Sequence, residues 1–150
     1  MVVGAEELKL RNQIRRLGLD NVVELTGAKP AKEAMEYMAA CKVFCLPSWS
    51  EGFGIVYLEA MAHGKPVIAV KGQGIDQVIR ENSTGLLVEP KDVQSVVGAL
   101  RQFMADDSLR MQMGARGKEV VFEKFTWAGC AQKYLQLYSE TLANKQDGIT

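Results

Sequence analysis

The chain has 150 residues, 47% of them hydrophobic, and its 18 basic and 18 acidic side chains cancel. That length and balance suit one globular domain with a real core and exclude a global field that would draw in nucleic acid. No apolar run approaches the ~20 residues of a membrane span, no signal-peptide pattern follows Met1, and three cysteines (Cys41, Cys45, Cys130) with a single histidine, His63, lack metal-ligand spacing.

Taken in order, Met1-Val2-Val3-Gly4 reads as the remainder of a strand, and residues 5–17 carry apolar side chains at helical spacing until Gly18 stops them. Residues 22–27 alternate as a strand would, Pro30 opens a second helix through Met38, and Val43-Phe44-Cys45-Leu46-Pro47 is the next strand. A loop of small residues from Ser48 leads into a short helix, residues 54–63, a Gly64-Lys65-Pro66 turn and a buried strand through Val70. A second glycine-bearing loop, Lys71-Gly72-Gln73-Gly74-Ile75-Asp76, precedes a short helical piece to Arg80, and residues 85–90 form the last strand. Asp92 caps a helix whose Val93, Val96, Val97, Leu100 and Met104 share one stripe; Ser108 caps another to about Lys124; Thr126-Trp127 introduces a last one ending near Ala143. Residues 144–150 are expected to fray. Strands alternating with helices, with continuous apolar strands, argue for a parallel α/β sheet covered on both faces.

Two acids stand out. Glu59 lies in Ile55-Val56-Tyr57-Leu58-Glu59-Ala60-Met61-Ala62, so apolar that the helix is expected to be largely buried, and a buried carboxylate calls for a partner. A ligand rich in hydroxyls would serve. Glu51 precedes Gly52-Phe53-Gly54, where glycines let backbone amides approach a ligand and the following helix aims its positive end at the same point. Read alone, Gly52, Gly54, Gly72 and Gly74 are equally turn formers. The aromatic residues Trp49, Tyr57, Phe103, Trp127 and Tyr134 read as packing, with Phe53 the exception; Met104, Met111 and Met113 read as helix packing and residues 110–118 as a solvated face. The cysteines read as reduced and structural, and His63 as a helix-end residue.

The run Pro47-Ser48-x-x-Glu51-Gly52-Phe53-Gly54, followed by Leu58-Glu59-Ala60-Met61-Ala62-x-Gly64-x-Pro66-Val67 and by Gly85-Leu86-Leu87-Val88, resembles the donor-binding half of the retaining glycosyltransferases of family 4 (group 1), which have the GT-B fold. The likeness runs from Met1 to about Tyr138 and centres on two glutamates in the pattern E-x7-E.

The resemblance implies a Rossmann-like sheet, residues 1–143, as the C-terminal, nucleotide-sugar binding domain of that fold. It implies that Glu51, taken as the catalytic position, and the amides of Gly52, Phe53, Gly54 and Ile55 hold the donor sugar and its diphosphate, that Glu59 holds the ribose, and that Gly72 and Gly74 line the same site. Whether Glu51 is a nucleophile or positions the sugar stays open. The donor is a nucleotide-diphosphate sugar, with neither cofactor nor metal. The acceptor, a glycan, lipid or small molecule, is expected to bind a separate N-terminal domain. The place is expected to be the cytoplasm, with peripheral contact of the full enzyme at the inner membrane face. The family's second loop reads Gly-Gly with Pro-Glu after it, whereas here it is Gly72-Gln73-Gly74-Ile75-Asp76-Gln77.

In the doubly wound order the chain opens at the second strand, so the first strand is expected to be missing, with unpaired edges on residues 1–4 and 43–47 that favour self-association first and direct pairing of those two strands second, the remaining alternative being support from a longer polypeptide. The alternative to half of an enzyme is a non-catalytic nucleotide-sugar binding module or truncation product. A nucleotide-sugar epimerase would need more acids and histidines than the chain offers, and a nicotinamide enzyme would need the absent G-x-G-x-x-G.

Overall fold

The computed structural model describes residues 1–4 and 8–147. It divides into two compact units, Met1–Ala40 and Cys41–Thr150.

In the first unit, helix α1 (Leu8–Arg16) ends where Gly18 turns left-handed at φ +66°, and the Leu19 amide closes back on the Ile14 carbonyl at 3.0 Å. Helix α2 (Ala31–Ala40) follows Pro30, and Ile14 and Met38 are the buried residues of the two helices. Val2 and Leu25 form a parallel bridge flanked by bonds from Val2 N to Glu24 O and from Thr26 N to Val2 O. The strand expected over residues 22–27 shrinks to this bridge. Val22 and Val23 spend their amides on the Leu19 carbonyl in a turn, and Val22 is 74% exposed, so neither can join a ladder. The start of the first helix at Ala5 falls on residues 5–7, outside the described ones.

The second unit is a parallel sheet in the order β1 (Phe44–Cys45), β2 (Val67–Val70), β3 (Gly85–Val88), with Phe44 opposite Val67 and Val67 opposite Gly85. All four residues of β2 are buried, so both faces of the central strand are covered, as a continuous apolar strand requires. Between the strands run α3 (Ile55–Ala62) and α4 (Asp76–Asn82), and after them α5 (Val93–Ala105), α6 (Asp107–Lys124) and α7 (Trp127–Asp147). Ile68, Val70 and Val88 pack on Ala99 and Phe103 of α5, with Val96, Leu109 and Met113 at the margin.

Several expectations shift here. The buried face of α5 is centred on Ala99 and Phe103, while Val93 and Met104 point outward, because Phe103 offers the larger apolar body to the sheet. Asp106, not Ser108, caps α6: its extended backbone lets the carboxylate accept the Leu109 amide at 2.8 Å. Residues 110–118 are not uniformly solvated, since Arg110 is half-buried and donates to the Phe103 carbonyl at 2.8 Å. Helix α7 continues to Asp147, past the expected end; residues 148–150 lie outside the described ones. Trp127, read as packing, is 92% exposed, and Trp49, Tyr134, Met104 and Met111 are also exposed. Cys41, Cys45 and Cys130 are in no disulfide, and burial pushes the Cys41 and Cys45 thiols up, which suits unreactive structural use.

Helix α6 approaches α3 through two glycines one turn apart. A Cβ on Gly114 would sit 2.2 Å from the Gly64 carbonyl oxygen, and one on Gly117 would sit 3.1 Å from Met61 Cγ. Gly114→Ala therefore forces the helices apart and is expected to cost about 1–3 kcal/mol. Gly98→Ala, on the open side of α5, meets nothing within 4 Å and is expected to gain about 0.5–1 kcal/mol from helix propensity. Thermal unfolding of the two variants checks this; equal melting of Gly114→Ala and the unsubstituted chain would contradict it.

Candidate functional site

The loop after β1 turns into α3 at Gly54, whose φ of +78° and position against Tyr57 leave no room for a side chain: a Cβ there would lie 2.6 Å from the Tyr57 ring. Tyr57 is fully buried, meets Phe44 edge-on at 5.8 Å, and donates its hydroxyl to the Leu46 carbonyl at 2.6 Å. Burial first, and the nearby Glu51 carboxylate second, push its pKa up to about 12. The tyrosine thus fastens the start of α3 to the end of β1. Phe53 packs on Phe125 with ring centroids 6.0 Å apart.

The loop after β2 meets this one directly. Gly74 N–H donates to the Gly52 carbonyl at 3.0 Å, and Glu51 N–H donates to Gln73 Oε1 at 3.0 Å. Gly72 N–H donates to Asp76 Oδ2 at 2.6 Å, and Asp76 is paired with Arg80, whose guanidinium holds the Asp76 carboxyl below the usual carboxylate range. Lys71 pairs with Glu89. The two glycine loops therefore share one end of the sheet, the carboxyl ends of β1 and β2, where ligands bind in such folds. A groove of about 490 Å³ is lined by Gly72, Gln73, Gly74, Asp76, Gln77 and Arg80. A second, apolar cavity of about 280 Å³ runs from Pro47 and Trp49 past Val70 to Lys91, whose ammonium lies 5.7 Å from the Trp49 ring centroid. Lys91 adopts a left-handed φ of +59°, a conformation no residue pattern announced.

Among the described residues, the backbone amides of Gly52, Phe53, Gly54, Ile55 and Val56 donate to no protein acceptor, and α3 has no side-chain cap. Five consecutive free N–H groups at a helix start form a concentrated patch of positive potential. Glu51, half-buried, precedes it. Glu59 is half-buried rather than enclosed, one turn along α3 from the exposed Ile55, and its carboxylate has no hydrogen-bond or ion-pair partner among the described residues. The burial expected for that helix is confined to Tyr57, Ala60 and Met61, because its opposite face turns outward. Gly72 and Gly74, by contrast, have both amides spent inside the protein. His63 is exposed at the helix end, its N–H bonded to the Ala60 carbonyl at 3.1 Å. No three His, Cys, Asp or Glu side chains gather as a metal site would need among the described residues, and no helix among them is long and apolar enough to cross a membrane.

The family model for glycosyl transferases group 1 matches residues 1–120. The chain belongs to that family. It is 32% identical over 132 residues to a D-inositol 3-phosphate glycosyltransferase of Corynebacterium aurimucosum, a match covering 88% of this chain and 31% of that protein. Sucrose-phosphate synthase from Thermosynechococcus elongatus superposes with a TM-score of 0.81 at 30% identity, over 95% of this chain and 38% of that one. Anabaena HepE in complex with UDP superposes with a TM-score of 0.82 at 27% identity, over 92% of this chain and 40% of that one. The chain thus spans about a third of the length of the curated relatives it matches, and its α/β architecture is that of the C-terminal part of GT-B glycosyltransferases.

Gln73 was not among the residues singled out from the sequence of this group 1 chain. Its only signal was that it stands where the related loop carries glycine.

The raised Tyr57 pKa has a sign. The native phenol keeps its proton to about 12 while the unfolded one loses it near 10.0, so this contribution is complete below pH 10 and lost as pH rises through the native value. Denaturant titrations between those pH values are expected to show a steeper loss of stability for the wild type than for Tyr57→Phe. At neutral pH the same variant gives up about 1 kcal/mol with the bond to Leu46. Parallel pH profiles would contradict the assignment.

Proposed function

We propose that this chain is the donor-binding half of a retaining glycosyltransferase, which moves a sugar from a nucleotide diphosphate to a glycan, lipid or small acceptor. The observation that carries the reading is the run of five unpaired amides at the start of α3 between two partly buried carboxylates, Glu51 and Glu59. Such amides suit a diphosphate, and a carboxylate suits vicinal hydroxyls, each through charge-assisted hydrogen bonds. The UDP held by the similar HepE structure has both kinds of group.

In this reading the diphosphate lies over the amides of Gly52, Phe53, Gly54 and Ile55. Glu51 accepts hydroxyls of the sugar, and Glu59 accepts those of the ribose. Gly72 and Gly74 shape the wall without lending their amides. As the bond from the anomeric carbon to the diphosphate breaks, negative charge collects on the leaving oxygen, and the α3 dipole with its open N–H groups stabilises it without a metal. The acceptor hydroxyl is brought from a further domain, so this chain alone transfers nothing, because positioning the two substrates together supplies much of the rate.

Calorimetric titration with UDP and UDP-glucose tests the roles. Glu59→Ala is expected to weaken both ligands, and Glu51→Ala the sugar nucleotide selectively. Each loss should be tenfold or more, in line with about 2–5 kcal/mol for a truncated buried charge pair. Equal losses for both ligands in both variants would overturn the roles, and a wild-type chain that binds no nucleotide sugar would overturn the reading.

A further inference from the structure

Glu51 sits in a stretch with little to hold it. The preceding residues have no regular structure, and the nearest local bond, Ser50 N–H to Ser48 Oγ, is long at 3.5 Å. Among the described residues, the following Gly52, Phe53 and Gly54 donate to no protein acceptor. The backbone at Glu51 is tied from outside the loop by the side chain of Gln73, 22 residues away.

That tie is one rung of two. Glu51 N–H meets Gln73 Oε1 at 3.0 Å, and Gly52 O meets Gly74 N–H at 3.0 Å, so consecutive residues of one loop pair with consecutive residues of the other. The approach is close enough that a Cβ on Gly74 would stand 2.3 Å from Gly52 O and 2.8 Å from Phe53 Cα. The Gln73 loop is itself anchored: Gly72 N–H is held by Asp76, and Asp76 is held by Arg80 one helical turn further along α4. A chain of contacts therefore runs from α4 through Gln73 to the backbone of Glu51.

We propose that Gln73 is the positioning residue for Glu51: its amide oxygen occupies the Glu51 N–H, fixes the direction in which the Glu51 carboxylate leaves the loop, and so sets selectivity for the sugar of the donor. This rests on the donor-binding reading above. Taking the Glu51 N–H out of the free set also makes the open patch begin at Gly52, one residue further toward α3. A neighbouring glycine could not do this, having no side chain to reach across. An amide oxygen is suited to the task because it accepts a hydrogen bond without placing a second negative charge beside Glu51.

Gln73→Met keeps the length of the side chain and removes the acceptor. Backbone amide exchange followed by NMR is expected to show faster exchange at Glu51 and unchanged exchange in β2; unaltered exchange at Glu51 would overturn the proposal. In titrations, affinity for UDP-glucose is expected to fall about five- to tenfold, the worth of one hydrogen bond, while affinity for UDP changes less than about twofold. In a Glu51→Ala background the further loss on Gln73→Met should vanish, because the residue acts through Glu51. An equal loss for both ligands, or a loss that persists without the Glu51 carboxylate, would mark Gln73 as a structural tie only and overturn the positioning role. Wild-type chain that takes up neither probe sinks the donor reading itself, whereas wild-type binding that Gln73→Met leaves untouched sinks only this inference.

Discussion

The buried phenol of Tyr57 is the fixture on which the site depends. Its ring fills the space that a side chain at residue 54 would take, its edge-on contact with Phe44 locks it to β1, and its hydroxyl satisfies the Leu46 carbonyl just past the strand. That contact ties the end of β1 to the beginning of α3 across the glycine loop. The left-handed turn at Gly54 then follows from packing and not from chain freedom alone. It aims the first amides of α3 outward at the carboxyl end of the sheet.

The helices of the second unit divide accordingly. Helices α5 and α6 carry aspartate caps, Asp92 and Asp106, that accept the amides of Gln94 and Leu109. Helices α3 and α4, which follow the two loops of the site, have no side-chain cap. A cap is worth about 0.5–2 kcal/mol, so leaving α3 without one gives up stability where a ligand would find open donors. The loss is offset on the far side of α3, where α6 packs on Gly64 and Met61 through Gly114 and Gly117. The same division explains why Glu59 is only half-buried: α3 is held from one face and left open on the other.

Most of this architecture was legible in the residues. Continuous apolar runs marked β2 and β3, the alternation of elements marked a parallel sheet, Gly18 and Asp92 marked a helix end and a helix start, and the two glutamates with their glycines marked the candidate site. What was not legible depended on competition that local pattern does not record. Residues 22–27 alternate like a strand, yet a turn claims the amides of Val22 and Val23. In α5 the valines Val93, Val96 and Val97 suggest a stripe, yet the size of Phe103 decides which face turns inward. Asp106 and Ser108 are both competent caps, and backbone geometry chose between them. Gln73 could not be found by type or spacing, because its role lies in a bond to a residue 22 positions away.

The free amides of residues 52–56 are what set this end of the sheet apart, and backbone amide NMR during titration with UDP bears on them directly. The expected result is that the largest shifts fall on Gly52, Phe53, Gly54, Ile55 and Val56, with Gly72 and Gly74, whose N–H groups are already bonded, moving less. Shifts centred instead on the cavity of Trp49 and Lys91, or absent from residues 52–56 at saturation, would contradict the assignment of the diphosphate to the start of α3.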